Sequence, residues 1–319
     1  MAILAHLDAD FNHAKLQTLV KITHKSRMRG TRECNCIVAE VAAFEAIAAA
    51  SSCGHRTLVQ NAARYSMTFA TYPSLNEKVV IVTGGASGIG EEIVKAFAAQ
   101  GSHIGFVDMD GKRGAALAHD LESRGTKIRF EACDLRDVNA LTRAFKGLAT
   151  ALGPATVLVN NAANDDTHDW RKVTPSYFDE RIATNLRHQF FAIQAVVPGM
   201  IAAGSGSIIN LGSSSWWQGI GGLPVYTTAK AAIHGLTRSF ARDLGRHRIR
   251  VNTVVPGWVM TERQKKLWAT PTAIERHLER QCLPDLIEPV HVARMVLFLA
   301  SDDATMCTAN NYMVEAGSI

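Results

Sequence analysis

The sequence predicts an α/β fold with a parallel sheet between layers of helices, and three observations support this. From Val79 onward, short apolar runs rich in β-branched residues alternate with helical patterns, as repeated βαβ units do. Residues 1–66 contain no strand-like run bounded by turn signals. The composition, 47% hydrophobic and 20% charged, is that of a globular protein. We therefore predict an N-terminal extension over residues 1–66, poorly ordered or a start-site artefact, and a single domain over residues 67–319.

Composition also limits the class of protein. Six Cys in 319 residues are too few for a disulfide scaffold, which indicates a reduced, cytoplasmic protein. No uncharged apolar run approaches the ~20 residues that cross a bilayer, so we expect no membrane span and no secretion. The net charge of +5 is small and the basic residues are interspersed with acids, which argues against nucleic acid as a partner. Cys34 and Cys36 lack a second pair at suitable spacing, so no metal is expected.

A glycine-rich segment follows the first predicted strand and precedes a helical pattern. Such a turn presents unpaired backbone N–H groups and the positive end of a helix dipole, where a pyrophosphate can bind. Gly84 would permit the tight turn, Gly88 the approach to phosphate, and Gly90 the close packing of helix and strand. A plain tight turn is the alternative, but the strand and helix context favours a dinucleotide. The candidate residues here are Gly84, Ser87, Gly88, Ile89 and Gly90.

Polar residues end the next predicted strands. A carboxylate at Asp108 would accept hydrogen bonds from the adenosine ribose and repel a 2′-phosphate, which favours NAD over NADP. A solvated strand end is the alternative. Asp134 and Leu135, after the third strand, are placed to meet the adenine. The fourth strand leads into Asn161, Ala162 and Ala163, at the same edge of the sheet.

Tyr226 and Lys230 are four residues apart on a predicted helix and therefore share one face. A neighbouring ammonium favours the phenolate and would lower the pKa of Tyr226, which makes Tyr226 a candidate general acid or base. Ser213 follows a predicted strand and could hydrogen-bond the reacting oxygen. Asn185 lies in a long helical segment. The pair alone means little, but its order after the glycine turn, Asp108 and Ser213 makes coincidence improbable.

These motifs, in this order, resemble the short-chain dehydrogenase/reductase superfamily over residues 72–319. The resemblance implies a Rossmann-type doubly wound sheet of seven strands in the order 3-2-1-4-5-6-7, and a homotetramer built from the helices carrying Asn185 and Tyr226. It implies that Lys230 bonds the nicotinamide ribose and that Asn185 anchors a water. The catalytic tetrad it implies is Asn185, Ser213, Tyr226 and Lys230. Cofactor contacts would also come from Pro256, Gly257, Val259 and Thr261.

Within that superfamily, the chain is similar to the bacterial NAD-dependent D-xylose 1-dehydrogenases and related aldose dehydrogenases. The stretches that carry the likeness include NNAANDDTH (160–168), SSSWWQGI (213–220) and RQKKLWATP (263–271). This implies oxidation of the anomeric C1 hydroxyl of D-xylose or another pentose to the aldonolactone with NAD⁺. Another aldose, such as L-arabinose, D-galactose or L-rhamnose, is an alternative substrate. An NAD(P)H-dependent carbonyl or 3-oxoacyl reductase and a catalytically silent nucleotide-binding scaffold are alternative functions.

Substrate contacts are expected from Asn164, Ser213, Trp216, Tyr226 and Trp258. The polar loop with Asp165, Asp166 and His168 could bind sugar hydroxyls or could simply be solvated. Residues 260–283, with Arg263, Gln264 and Trp268, are long and irregular enough to form a lid that excludes water. For the loop, the lid and the tryptophans, purely structural roles are about as plausible.

Overall fold

The computed structural model describes residues 70–318, and within them strands and helices alternate. The strands are β1 (Val79–Thr83), β2 (His103–Asp108), β3 (Ile128–Ala132), β4 (Val157–Asn160), β5 (Gly206–Leu211), β6 (Ile249–Pro256) and β7 (Asn311–Val314). The helices are α1 (Gly88–Ala99), α2 (Gly111–Ser123), α3 (Val138–Leu152), α4 (Pro175–Ile182), α5 (His188–Ala203), α6 (Pro224–Leu244), α7 (Glu262–Leu267), α8 (Pro271–Leu278) and α9 (Pro289–Ala300). The predictions for residues 1–66 and for a start at Met67 lie outside the described residues.

The strands form one parallel sheet in the order β3-β2-β1-β4-β5-β6-β7. This confirms the doubly wound, seven-stranded sheet. The order reverses between β1 and β4, which pair in register from Val80 with Val157 to Thr83 with Asn160. In open α/β sheets, ligands bind in the crevice at such a switch point, outside the carboxyl ends of the strands. The ends of β1 and β4 are therefore where the site is expected.

The sheet is buried because its central strands are apolar on both faces. In β1, Val80, Ile81 and Val82 are at most 1% exposed, as expected for a strand covered by helices on both sides. The helix α3 shows why the helices cover it: its buried residues recur at Leu141, Phe145 and Leu148, which place one apolar stripe against the core.

A buried polar network links the carboxyl ends of β4, β5 and β6 to α6. Asn160 Nδ2 donates to Asn210 Oδ1 at 2.9 Å, and Asn210 Nδ2 donates to Thr237 Oγ1 at 2.9 Å. The hydroxyls of Thr237 and Thr253 are 2.7 Å apart. Because buried polar groups are costly unless paired, this network favours one relative placement of the strand ends and the helix that carries Tyr226.

Residues 260–283 are more regular than expected. They contain two short helices, α7 and α8, whose N-caps Thr261 and Thr270 accept hydrogen bonds from Gln264 N and Ala273 N. Hydroxyl caps of this kind satisfy amides that the first helical turn leaves unpaired. None of the helices formed by the described residues combines the length and apolar character needed to cross a bilayer.

Candidate active site

A cavity of about 960 Å³ opens at the carboxyl ends of the strands. Most of the predicted cofactor residues line it: Gly84, Ser87, Ile89, Gly90, Asp108, Asp134, Leu135, Asn161, Ala162, Ala163, Pro256, Gly257, Val259 and Thr261. The predicted catalytic residues Ser213, Tyr226 and Lys230 line the same cavity, as do Asn164 and Trp258. The sheet thus brings together residues spread along the chain from Gly84 to Thr261.

The turn between β1 and α1 leaves no room for larger side chains. Gly84 has φ of +66°, and a Cβ at Gly90 would lie 1.9 Å from the carbonyl oxygen of Gly84. Asn161 closes the turn, with Nδ2 donating to Thr83 O at 3.0 Å and to Gly84 O at 2.9 Å. Gly88 does not line the cavity; a Cβ there would lie 3.2 Å from Thr261 Cγ2. Gly88 therefore lets the segment after β6 approach the turn.

The turn fits a dinucleotide. Ser87, the N-cap of α1, makes no side-chain capping bond, whereas the caps of α2 and α3 do. The first amides of α1 are therefore free of a side-chain cap where a pyrophosphate oxygen would accept hydrogen bonds. Asp108 accepts from Ala86 N at 3.0 Å and from Asp110 N at 3.0 Å, which fixes its carboxylate beside the turn. At the adenine end, Arg136 holds Asp134 at 2.7 Å, and this hydrogen-bonded pair lowers the pKa of Asp134.

The catalytic side chains come from β5, its following loop and α6. Lys230 is 2% exposed, and its Nζ donates to Leu211 O at 2.7 Å. Burial lowers the pKa of Lys230 to about 7. Tyr226 hydrogen-bonds with Ser213, and the Ser213 and Ser215 hydroxyl oxygens are 2.9 Å apart. The serine is thus oriented toward the phenol.

The surroundings of Tyr226 raise its pKa, whereas the sequence predicted that the neighbouring Lys230 would lower it. Burial raises the pKa of Tyr226 well above its usual value, and the Asp165 carboxylate raises it further. The hydrogen bond with Ser213 and the charge of Arg263 act in the opposite direction. Lys230 is not among the groups that shift this pKa; its Nζ donates to the Leu211 carbonyl and lies 5.7 Å from the centroid of the Tyr226 ring. Burial disfavours the charged form of Lys230, so Lys230 stabilises a nearby phenolate less than an exposed ammonium would.

Asn185 lies behind the cavity wall and is fully buried. It sits in a π-helical segment, Ala183–Arg187, between α4 and α5; such segments are frequent at functional sites. Its Nδ2 donates to Arg181 O at 3.0 Å and its Oδ1 accepts from Asn164 N at 2.8 Å. Asn185 therefore holds the loop after β4 in place beside the cavity.

Several expected substrate contacts do not form part of the cavity. Trp216 lies outside its lining, since its Nε1 donates to His234 Nε2 at 3.0 Å and the two rings stack edge to face. His168 also lies outside it, because its Nε2 accepts from Val225 N, 3.3 Å away at the start of α6. Of the two carboxylates in this loop, Asp165 lines the cavity and Asp166 does not. Packing, one of the two roles considered for these residues, accounts for Trp216 and His168.

Helix α8, in the segment predicted to form a lid, presents a face of cavity-lining side chains that the sequence did not lead us to expect. The residues of this face that line the cavity are Ala273, Arg276, His277 and Arg280. Their spacing of three, four and seven residues is that of one helical face, and Thr270 followed by Pro271 is a helix-start signal. Treating the segment as irregular concealed this pattern. Trp258 joins this wall, with Nε1 donating to Gln264 Oε1 at 2.9 Å and its ring edge to face with His277.

The doubly wound sheet and the cavity at its switch point are those of a dinucleotide-binding protein. The family profile described as Enoyl-(Acyl carrier protein) reductase matches residues 84–318. The chain belongs to the short-chain dehydrogenase/reductase family. It is an enzyme that acts on CH–OH groups.

Three relatives show the range of the likeness. The chain is 47% identical to D-xylose 1-dehydrogenase of Caulobacter vibrioides (strain NA1000 / CB15N), over 79% of this chain and 99% of that protein. It is 42% identical to a probable galactose dehydrogenase of Rhizobium meliloti (strain 1021), over 77% and 96%. Among solved structures, a blue fluorescent protein from a metagenomic library in complex with NADPH is 34% identical, with a TM-score of 0.70, over 76% of this chain and 98% of that one.

Proposed function

We propose that the protein is an NAD-dependent aldose 1-dehydrogenase that oxidises the anomeric C1 hydroxyl of D-xylose or another pentose to the aldonolactone. The observation that carries this is the 47% identity to D-xylose 1-dehydrogenase over 99% of that protein. The cavity supports it, because the Ser213 and Tyr226 hydroxyls face the same space as Asn164, Asp165 and Gln264. A cyclic sugar needs one reacting hydroxyl beside the base and polar partners for the others.

In the proposed mechanism, the Tyr226 phenolate removes the proton of the C1 hydroxyl while Ser213 hydrogen-bonds the same oxygen and holds it in position. NAD⁺ bound by these residues would supply a nicotinamide ring able to take the C1 hydrogen as hydride. Lys230 has Nζ hydrogens beyond the one donated to Leu211 O, and these would bind the nicotinamide ribose hydroxyls. Asn185 positions the loop after β4 and would anchor a water for proton release.

The choice of NAD rests on Asp108. A carboxylate held beside the turn by two backbone amides would bind ribose hydroxyls and repel a 2′-phosphate. Asp134, Leu135 and the remaining cavity residues of β4 and β6 would contact the adenine and nicotinamide ends. Of the substrate residues, Asn164, Ser213, Tyr226 and Trp258 keep their proposed roles.

We further propose a cytoplasmic homotetramer whose small-molecule partner is the sugar, without nucleic acid or membrane. The described cysteines, Cys133, Cys282 and Cys307, are free thiols, which suits a reducing compartment. Phe178 on α4 and Phe190 on α5 are 42% and 43% exposed, and apolar side chains of this size suit a subunit contact.

A substrate panel tests the proposal. NAD⁺ and NADP⁺ are each combined with D-xylose, L-arabinose, D-galactose, L-rhamnose and simple secondary alcohols, and NADH or NADPH formation and the lactone product are measured. We expect the highest kcat/KM with NAD⁺ and a pentose. A clear preference for D-galactose would agree instead with the 42% identical relative. Activity confined to simple alcohols, or to reduction of carbonyl compounds with NADPH, would refute the proposed function.

Tyr226→Phe tests whether Tyr226 transfers the proton. Phenylalanine keeps the ring but cannot carry the proton, so kcat should fall by at least ~10² while NADH binding persists. NADH binding is followed by fluorescence titration. A variant with unchanged kcat would remove Tyr226 from the mechanism.

A further inference from the structure

Side chains of helix α7 and of the loop after β4 meet across the cavity. Arg263 pairs with both Asp165 and Asp166, and Gln264 Nε2 donates to Asp165 Oδ2 at 2.7 Å. We call Asp165, Asp166, Arg263 and Gln264 the clasp. The partners are 97 to 99 residues apart in the chain, so the clasp exists only while α7 lies over the cavity.

The clasp adjoins the catalytic pair. Asp165, Arg263 and Gln264 line the same cavity as Tyr226 and Lys230. The charge of Asp165 raises the pKa of both Tyr226 and Lys230, while the charge of Arg263 lowers the pKa of Tyr226. Lys230 is buried and Tyr226 is partly buried, so water screens these charges less at the two side chains than it would at the surface.

The two aspartates differ in what else can balance them. Asp166 also lies 3.6 Å from Arg181, a buried arginine of α4 that pairs with Glu180 at 2.7 Å. Asp165, by contrast, has Arg263 as its one ion-pair partner within the described chain. Moving α7 away would therefore leave Asp165, but not Asp166, without a paired cation.

We propose that Arg263 is a positioning residue that couples closure of α7 to proton transfer, because it neutralises Asp165, the carboxylate that faces Tyr226. With α7 displaced, the bare Asp165 holds Tyr226 in its protonated form and the base is inactive. With α7 seated, Arg263 compensates the carboxylate in part, so the phenolate forms more readily than it does with α7 displaced. The proposal rests on the proposed role of Tyr226 as the base, but not on which alcohol is oxidised.

The charged groups that line the cavity near Tyr226 come from several elements. The loop after β4 supplies Asp165, α7 supplies Arg263, and α6 supplies Lys230. Further charged residues line the cavity: Arg276 and His277 of α8, Arg280 just after α8, and Glu180 and Arg181 of α4. None of these is among the groups that shift the pKa of Tyr226. The balance between Asp165 and Arg263 is therefore the one that closure of α7 changes.

The test compares pH profiles of kcat and kcat/KM, from about pH 6 to 10, for Arg263→Gln, Asp165→Asn and the control Lys265→Gln. Lys265 is on the same helix, is 46% exposed against 44% for Arg263, and pairs with Glu262 and Glu288 outside the cavity. The substrate is whichever alcohol the panel identifies. Failure of the aldose assignment is thus separate from failure of this inference.

Arg263→Gln removes the charge that lowers the pKa of Tyr226. The ascending limb of its pH–rate profile should therefore move to higher pH by ~0.5 to 1 unit. At pH values below this limb, kcat of Arg263→Gln would be about 3- to 10-fold lower than that of the wild type, and the difference would disappear at high pH. Asp165→Asn should move the limb to lower pH. In the Asp165→Asn background, the effect of Arg263→Gln should shrink, because the two charges act through each other. Lys265→Gln should leave the profile in place.

An activity-independent measurement accompanies these profiles. Hydrogen exchange of the α7 amides should be faster in Arg263→Gln than in Lys265→Gln, because the clasp is lost. If Arg263→Gln does not fold, Arg263→Lys and Asp165→Asn supply the same comparison, and Arg263→Lys should retain most of the wild-type profile. A loss of kcat that persists unchanged above the ascending limb, or a profile that coincides with that of Lys265→Gln, would overturn the proposal.

Discussion

The two walls of the cavity are built differently. The turn between β1 and α1, which we call the cofactor wall, packs backbone against backbone. Here Gly90 is in contact with Gly84 and Asn161. The opposite wall, α7 and α8, meets the loop after β4 through charged side chains, and Arg263 and Asp165 are 44% and 33% exposed. A wall in which backbone atoms are in direct contact tolerates little change, whereas a wall of exposed side chains can exchange partners. Cofactor binding should therefore be more sensitive to single substitutions than substrate choice.

Among single substitutions in the two walls, Gly90→Ala should have the largest effect. Its Cβ would meet Gly84 O at 1.9 Å and Asn161 Nδ2 at 2.5 Å, so the backbone must shift. We expect a free energy of unfolding lower by about 3 kcal/mol and a loss of NADH binding. Urea denaturation and fluorescence titration measure these.

Gly235→Ala in α6 is the matched control, since nothing lies within 4 Å of a Cβ there. Alanine is the better helix former, so this variant should be neutral or more stable by roughly 0.5–1 kcal/mol. If Gly90→Ala were as stable as Gly235→Ala and still bound NADH, the cofactor wall would be less rigid than its backbone contacts imply.

Asp108→Asn tests the same wall without altering its shape. The amide oxygen can still accept from Ala86 N, but the charge that would repel a 2′-phosphate is gone. The ratio of kcat/KM with NADP⁺ to that with NAD⁺ should rise about tenfold, as expected for ~1.4 kcal/mol. Asp110→Asn, two residues away and outside the cavity lining, should leave the ratio unchanged. A wild-type protein that already uses both cofactors equally would contradict this role of Asp108.

Gln264→Ala should have the smallest effect. It removes the acceptor for Trp258 Nε1 and one donor to Asp165, and a lost hydrogen bond of this kind costs about 1 kcal/mol. We expect KM for the sugar to rise roughly fivefold with little change in stability or NADH binding. Lys266→Ala, exposed on the same helix, is the control. Loss of NADH binding in Gln264→Ala would show that the two walls are not separate.

The residues predicted from sequence fall on the cofactor wall for a physical reason. Gly84, Gly90 and Asp108 are local features, a turn and a strand end, and a parallel sheet necessarily brings such ends to one edge. Tyr226, Lys230 and Ser213 were predicted from their spacing and order, and the structure places all three at the cavity. The predictions that fared worse, for Trp216 and His168, depended on where a side chain of a loop would point.

By itself, the sequence determined the alternation of strands and helices, the strand order through the family resemblance, and the turn and strand ends that line the cofactor wall. These follow from patterns within a few residues of one another. Only the tertiary structure decided that His168 binds the start of α6, that Trp216 turns to His234, and that Arg263 meets Asp165. Such contacts join residues far apart in the chain, and competition among several polar partners selects them. The raised pKa of Tyr226 belongs to the same class, because burial and the facing charges exist only after folding.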